Sequence, residues 1–184
     1  MAMAEYCFAV VKANMERRPT PVVPTTIPDV PCPIFVCFKN AISGDLRGCI
    51  GNFSALPLHQ QLVSYANAAA FGDSRFTSIT LSELPQLKCT VSLLHSFEDC
   101  RRWDDWDVGT HGIEIELSVK DSSYRGTFLP SVAKEQQWTK AVTMQRLVAK
   151  AGYRGTANED LFRSIHVRRY QESTAALAFT DARL

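Results

Sequence analysis

No apolar run in this chain approaches the roughly 18 residues that span a bilayer. The opening stretch, Met1 to Arg17, carries Glu5 and Lys12 among its apolar residues and reads as neither signal peptide nor membrane anchor. Excess charge of one sign is also missing. Lys plus Arg total 20 against 19 Asp plus Glu, so there is no field to gather phosphates, and no case for nucleic acid arises. There is no C-x-x-C pair. The closest cysteines, Cys32 and Cys37, have no matching Cys or His pair downstream, so no metal site is expected. Without a secretory signal, the six cysteines read as reduced thiols in a cytoplasmic or nuclear compartment, and no disulfide is expected. Internal repeats and low-complexity tracts are absent too. What remains is an ordinary globular composition, 46% hydrophobic and 21% charged over 184 residues. It is read as one domain, 1–184, large enough to bury a core without a metal or disulfide staple.

Apolar spacing predicts a first helix over Met3–Met15. Six of the nine prolines then fall in 17–33, which reads as a stiff, extended connector. Ile34–Phe38 and Leu46–Gly51, separated by the turn-rich Asn40–Asp45, read as a hairpin. Pro57 opens a helix that keeps its spacing to Gly72, and Thr80-Leu81-Ser82-Glu83 resembles a capping box. Strands follow at Lys88–His95, at Ile113–Val119 with clean alternation, and at Tyr124–Leu129 after the Asp121-Ser122-Ser123 turn. Helical signals cover Val132–Trp138 and Met144–Ala151, and a last strand covers about 165–170. Turn-linked strands with irregularly inserted helices predict an α+β fold with a largely antiparallel sheet and flanking helices.

Arg47-Gly48-Cys49-Ile50-Gly51 carries the most chemistry. Glycines on both sides of Cys49 would permit positive φ and free the approach to sulfur. Backbone N–H groups in such a turn converge on an anion, and Arg47 would favour a thiolate. The other reading is a tight turn or bulge beside an inert, buried cysteine. A nucleophilic thiol needs a base, and His111, in a turn entering a strand, is the best placed of the four histidines; a solvated turn histidine is its plain reading. Asp73-Ser74-Arg75-Phe76 offers Arg75 to an anionic ligand with Asp73 holding the guanidinium, or else an ion pair that staples the loop. Glu114 and Glu116 are candidate acids or simply the wet face of a strand. Arg163, Arg168 and Arg169 are a basic patch for an acidic partner or a charge-guarded strand edge.

Leu46-Arg47-Gly48-Cys49-Ile50-Gly51 resembles the six-residue signature of the AMMECR domain family, named after a candidate protein for Alport syndrome with midface hypoplasia and elliptocytosis. Asp73-Ser74-Arg75-Phe76, Glu83-Leu84-Pro85, Val91-Ser92-Leu93-Leu94, Phe97-Glu98-Asp99, His111-Gly112-Ile113 and Val132-Ala133-Lys134-Glu135-Gln136 agree in order and spacing, so the resemblance covers nearly the whole chain. It implies an α+β fold of two unequal lobes with the signature facing a groove between them. It also implies a function that is not established but was suggested to be enzymatic. Some prokaryotic members occur with a Memo-like domain and a radical-SAM domain, which implies a Memo-like protein as partner. Two departures stand out. Thr77-Ser78 follow Phe76 where prolines are usual, and Gln137 replaces a glycine common before the tryptophan.

The expectation is therefore an enzyme of unknown reaction and unknown cofactor. Cys49 is its active-site thiol, Arg47 and His111 act with it, and Gly48, Gly51, Asp73 and Arg75 bind the substrate, an unidentified small molecule or protein. The competing expectation is a ligand- or protein-binding adaptor in which no bond is broken.

Overall fold

The computed structural model describes residues 1–183, which divide into two compact units: Met1–Leu94 with the stretch from Ser173, and His95–Glu172. The first unit opens with α1 (Ala2–Met15), whose Tyr6, Cys7, Phe8, Val10 and Val11 are all buried. The helix stops where Arg17 turns left-handed (φ 55°). The Arg17 and Arg18 N–H groups then reach back to the Asn14 and Ala13 carbonyls at 3.0 and 2.8 Å. The proline-rich stretch follows without regular structure until β1 (Pro31–Asn40) begins, and the Tyr6 hydroxyl holds it by donating to the Pro21 carbonyl. Pro33 cannot donate to a ladder, and it lies where the register shifts between Cys32 and Ile34.

β1 turns into β2 (Leu46–Pro57) through a loop that the Asn40 side chain organises by accepting the Ile42 and Ser43 N–H groups. α2 (Leu58–Asn67) runs on into a π-helical turn, Ala68–Gly72, and β3 (Leu87–Asp99) completes the local sheet against β1. Ile34, Val36, Phe38, Leu58, Leu62, Leu84 and Val91 fill this unit's core around Phe8, which meets the Phe38 and Phe179 rings at 5.6 and 5.2 Å.

In the second unit, β4 (Gly112–Val119) and β5 (Ser122–Phe128) form a hairpin, and α3 (Pro130–Glu135), α4 (Lys140–Lys150) and α5 (Glu159–Phe162) follow. β6 (His166–Ala178) then returns beside β4. Trp106, Ile113, Ile115, Leu117, Met144, Leu147 and Phe162 make the core. Thr139 caps α4 and Asn158 caps α5 through their side-chain oxygens.

Among the described residues the strand order is β2-β1-β3 in the first unit and β6-β4-β5 in the second, and the β1–β2, β1–β3, β4–β5 and β4–β6 pairs are all antiparallel. This is the α+β class with a largely antiparallel sheet. The last strand extends well past Tyr170, to Ala178, through an alanine-rich segment whose intrinsic preference is helical. No helix of the described residues is long and apolar enough to cross a membrane.

Candidate functional site

The β1–β2 register sets Cys37 directly opposite Cys49, with Cα atoms 4.0 Å apart and the two sulfurs joined in a disulfide. This corrects the expectation of six free thiols. The two residues are equidistant from Ser43, the middle of the turn, so antiparallel pairing brings them face to face whatever the compartment. Compartment rules describe which pairs persist, whereas register decides which sulfurs meet. Cys7, Cys32, Cys89 and Cys100 are free. Burial pushes the thiols of Cys32, Cys89 and Cys100 up from their ordinary values, and the Cys89 thiol is raised further by its hydrogen bond with Cys7.

The peptide groups of Cys49 are held from outside the strand. Its N–H donates to Asp73 Oδ2 at 2.9 Å, and its carbonyl accepts from Arg75 Nη2 at 3.2 Å. Arg75 binds back to Asp73 through Nε at 2.9 Å and Nη2 at 2.6 Å, and its own N–H meets Asp73 Oδ1 at 3.2 Å. Asp73 is buried. The Arg75 side chain first, and the Cys49 and Arg75 N–H groups after it, hold the carboxyl well below the usual carboxylate range against the opposing effect of burial. Arg75 lies over the Phe76 ring, 5.3 Å from its centroid. The π turn delivers this grip, since Asp73 follows its last residue, Gly72.

Neither Gly48 nor Gly51 has the positive φ expected of it; among the described glycines, positive φ occurs at Gly44, Gly109 and Gly152. The two signature glycines instead allow close approach. A Cβ on Gly48 would overlap the Ala69 carbonyl of the π turn, and one on Gly51 would overlap the Ile34 carbonyl and Phe35 of β1. The space beside Cys49 that was read as open to a ligand at Gly48 is thus filled by main chain. The anion that meets the Cys49 amide is Asp73 of the same chain.

Arg47 gives its guanidinium to Glu83 (Nε at 3.0 Å, Nη2 at 2.9 Å) and to the Thr77 carbonyl. Glu83 also accepts the Thr80 N–H and hydroxyl, the reaching-back half of the predicted capping box. The structure therefore brings together Arg47, Gly48, Cys49, Gly51, Asp73 and Arg75 within the first unit. His111 belongs to the second unit, where its Nδ1 accepts the Asp107 N–H at 3.0 Å and closes a turn. Sequence reasoning missed Cys37, Glu83 and Ala69. The predicted hairpin carried part of the signal for Cys37: its turn, Asn40–Asp45, sets Cys37 within one residue of facing Cys49.

The other charged candidates all stand in ion pairs. Glu114 meets Arg168 and Glu116 meets Arg125, each at 2.6 Å, Arg169 bridges Glu98 and Asp105, and Arg163 meets Glu159 and Asp160. The basic patch is thereby neutralised from within. No cluster of three metal-ligating side chains occurs among the described residues.

The sequence profile of the AMMECR1 family matches residues 4–175. An uncharacterized protein of Arabidopsis thaliana is 37% identical over 184 residues, covering 97% of this chain and 85% of that protein. One of Schizosaccharomyces pombe, also uncharacterized, is 42% identical over 161 residues, covering 82% and 80%. The crystal structure of an uncharacterized protein from Pyrococcus horikoshii superposes with a TM-score of 0.79 at 23% identity, covering 95% of this chain and 89% of that one, a likeness of fold.

Proposed function

This chain belongs to the AMMECR1 family, and from that premise we propose that it is an enzyme whose working group is the thiol of Cys49. The observation that carries this reading is the grip on Cys49 itself. A buried carboxylate and a guanidinium take the N–H and the carbonyl of that one residue, which is only partly buried on its strand. Such fixing orients a reacting atom before a substrate arrives, which is how a rigid frame lowers the cost of reaching the transition state. Asp73 and Arg75 act as positioning residues, and the solvent-facing side of the Arg75 guanidinium, whose side chain is 56% exposed, is the natural contact for an anionic substrate. The thiol works in the reduced form, so a cytoplasmic setting, where thiol pools keep cysteines reduced, suits it.

A second reading, a binding module without chemistry, draws on the fact that the Cys49 amide is already spent on Asp73 and cannot stabilise a developing oxyanion. Alkylation separates the two. Reduced protein is treated with iodoacetamide between about pH 5 and 9, and mass spectrometry follows each of the six cysteines. Under the enzyme reading Cys49 reacts fastest and continues to react below neutrality. An inert Cys49 beside reactive neighbours leaves the binding module.

A further inference from the structure

We propose that Cys37 is the second thiol of the Cys49 site, and that the two residues cycle between dithiol and disulfide against a low-molecular-weight disulfide. This rests on the reading of Cys49 as the working thiol and names its substrate class. Three observations carry it. The first is register: Cys37 and Cys49 are direct cross-strand partners, and because the Cys49 N–H and carbonyl point away to Asp73 and Arg75, the pair occupies a non-hydrogen-bonded position, where side chains on neighbouring strands come closest. The second is asymmetry of access. Cys49 is partly buried on the outer strand β2 and is the more accessible of the two, whereas Cys37 is 9% exposed on β1, covered on its other side by β3, where it faces Thr90. An incoming disulfide meets Cys49 first, and Cys37 reaches the Cys49 sulfur from behind. The third is isolation from the other thiols: Cys7 and Cys89 are buried, Cys32 faces Leu56, and the Cys100 thiol donates to the Asp105 carbonyl in the second unit.

The chemistry closes in two exchanges. The Cys49 thiolate attacks one sulfur of R–S–S–R; the S–S bond breaks, one RS⁻ leaves and takes up the proton that Cys49 released, and Cys49–S–S–R remains. The Cys37 thiolate then attacks the Cys49 sulfur and expels the second RS⁻, which takes up the Cys37 proton. The protein dithiol loses two electrons, the small disulfide gains them, and the products are the Cys37–Cys49 disulfide and two RSH. An excess of RSH runs the same steps in reverse. The clamp on the Cys49 backbone and the main-chain seat at Gly48 do not involve sulfur, so the two thiols stay opposed after reduction.

Reduced full-length protein, freed of reductant, is mixed with oxidised glutathione, quenched with maleimide at intervals and mapped by mass spectrometry. Wild type is expected to pass through a transient Cys49–glutathione species to the Cys37–Cys49 disulfide. Cys37→Ser and Cys37→Val are expected to stop at Cys49–glutathione as the major, lasting species, and Cys49→Ser to leave Cys37 unmodified. A lasting Cys49–glutathione species in wild type, or glutathione on Cys37 in Cys49→Ser, overturns the proposal. Iodoacetamide on Cys37→Val separates the two readings. If Cys49 is alkylated rapidly while wild type never closes its disulfide, the couple falls and the working thiol stands; if Cys49 resists both reagents, both fall. Circular dichroism reports whether the variants fold, and where they do not, the wild-type time course decides.

Discussion

Two ion pairs of this protein have the same closest distance and different consequences. Arg75–Asp73 in the first unit and Arg125–Glu116 in the second both close to 2.6 Å. The Asp73 side chain is 4% exposed and shares its oxygens with the main chain of Cys49, while Glu116 and Arg125 are 43% and 71% exposed and hold each other across the β4–β5 hairpin. Distance is therefore a poor guide to worth. A carboxylate out of water must keep every partner it has, whereas an exposed one trades its partner for solvent at little loss. The first pair fixes a backbone, and the second keeps a strand face wet.

The comparison can be broken most severely from beneath the clamp. Gly48→Ala places a methyl on the Ala69 carbonyl, a main-chain contact that cannot swing aside, and is expected to cost about 3 kcal/mol in urea unfolding. Asp73→Asn should cost about 2 kcal/mol near neutrality, through charged hydrogen bonds lost to Cys49 and Arg75. Because the folded-state pKa of Asp73 is depressed, its contribution is present in full above the unfolded value of about 4 and fades as pH falls toward the folded one. The gap between wild type and Asp73→Asn should therefore narrow in unfolding series taken below about pH 4. Arg75→Lys keeps the charge but loses the two-pronged fit and the bond to the Cys49 carbonyl; a cost of about 1 kcal/mol and slower alkylation of Cys49 are expected. Glu116→Gln should leave the urea midpoint unchanged at any salt concentration, and a clear shift there would undo the contrast.

Much of the sheet was legible because its periodicity is local: Ile113, Ile115 and Leu117 alternate with polar neighbours, and the strand forms over Gly112–Val119. The hairpin was legible from its turn, but the partner of Cys49 was not read, since pairing is a relation between strands and residue-by-residue reading does not state it. The far half of β6 was missed because Ala175 to Ala178 lack β-prone residues; its place beside β3 in the sheet overrides that preference. One departure from the family pattern now has a physical meaning. Gln137 stands at φ 55°, just past the end of α3, with its N–H and that of Trp138 closing onto Lys134 and Ala133, a left-handed position that suits the glycine usual there. The role of the Asp73-Ser74-Arg75-Phe76 segment was half legible. The Asp–Arg pair could be read from spacing, but its grip on Cys49, 24 residues earlier in the chain, belongs to the fold.

β2 is the outermost strand at its end of the sheet, and outermost strands present a row of unpaired N–H and C=O groups on which another chain can build. At Cys49 both of those groups are already taken by Asp73 and Arg75. The loop that holds the cysteine in place thus also serves as a guard against edge-to-edge aggregation, denying a foreign strand its first pair of bonds at the point where the signature motif lies.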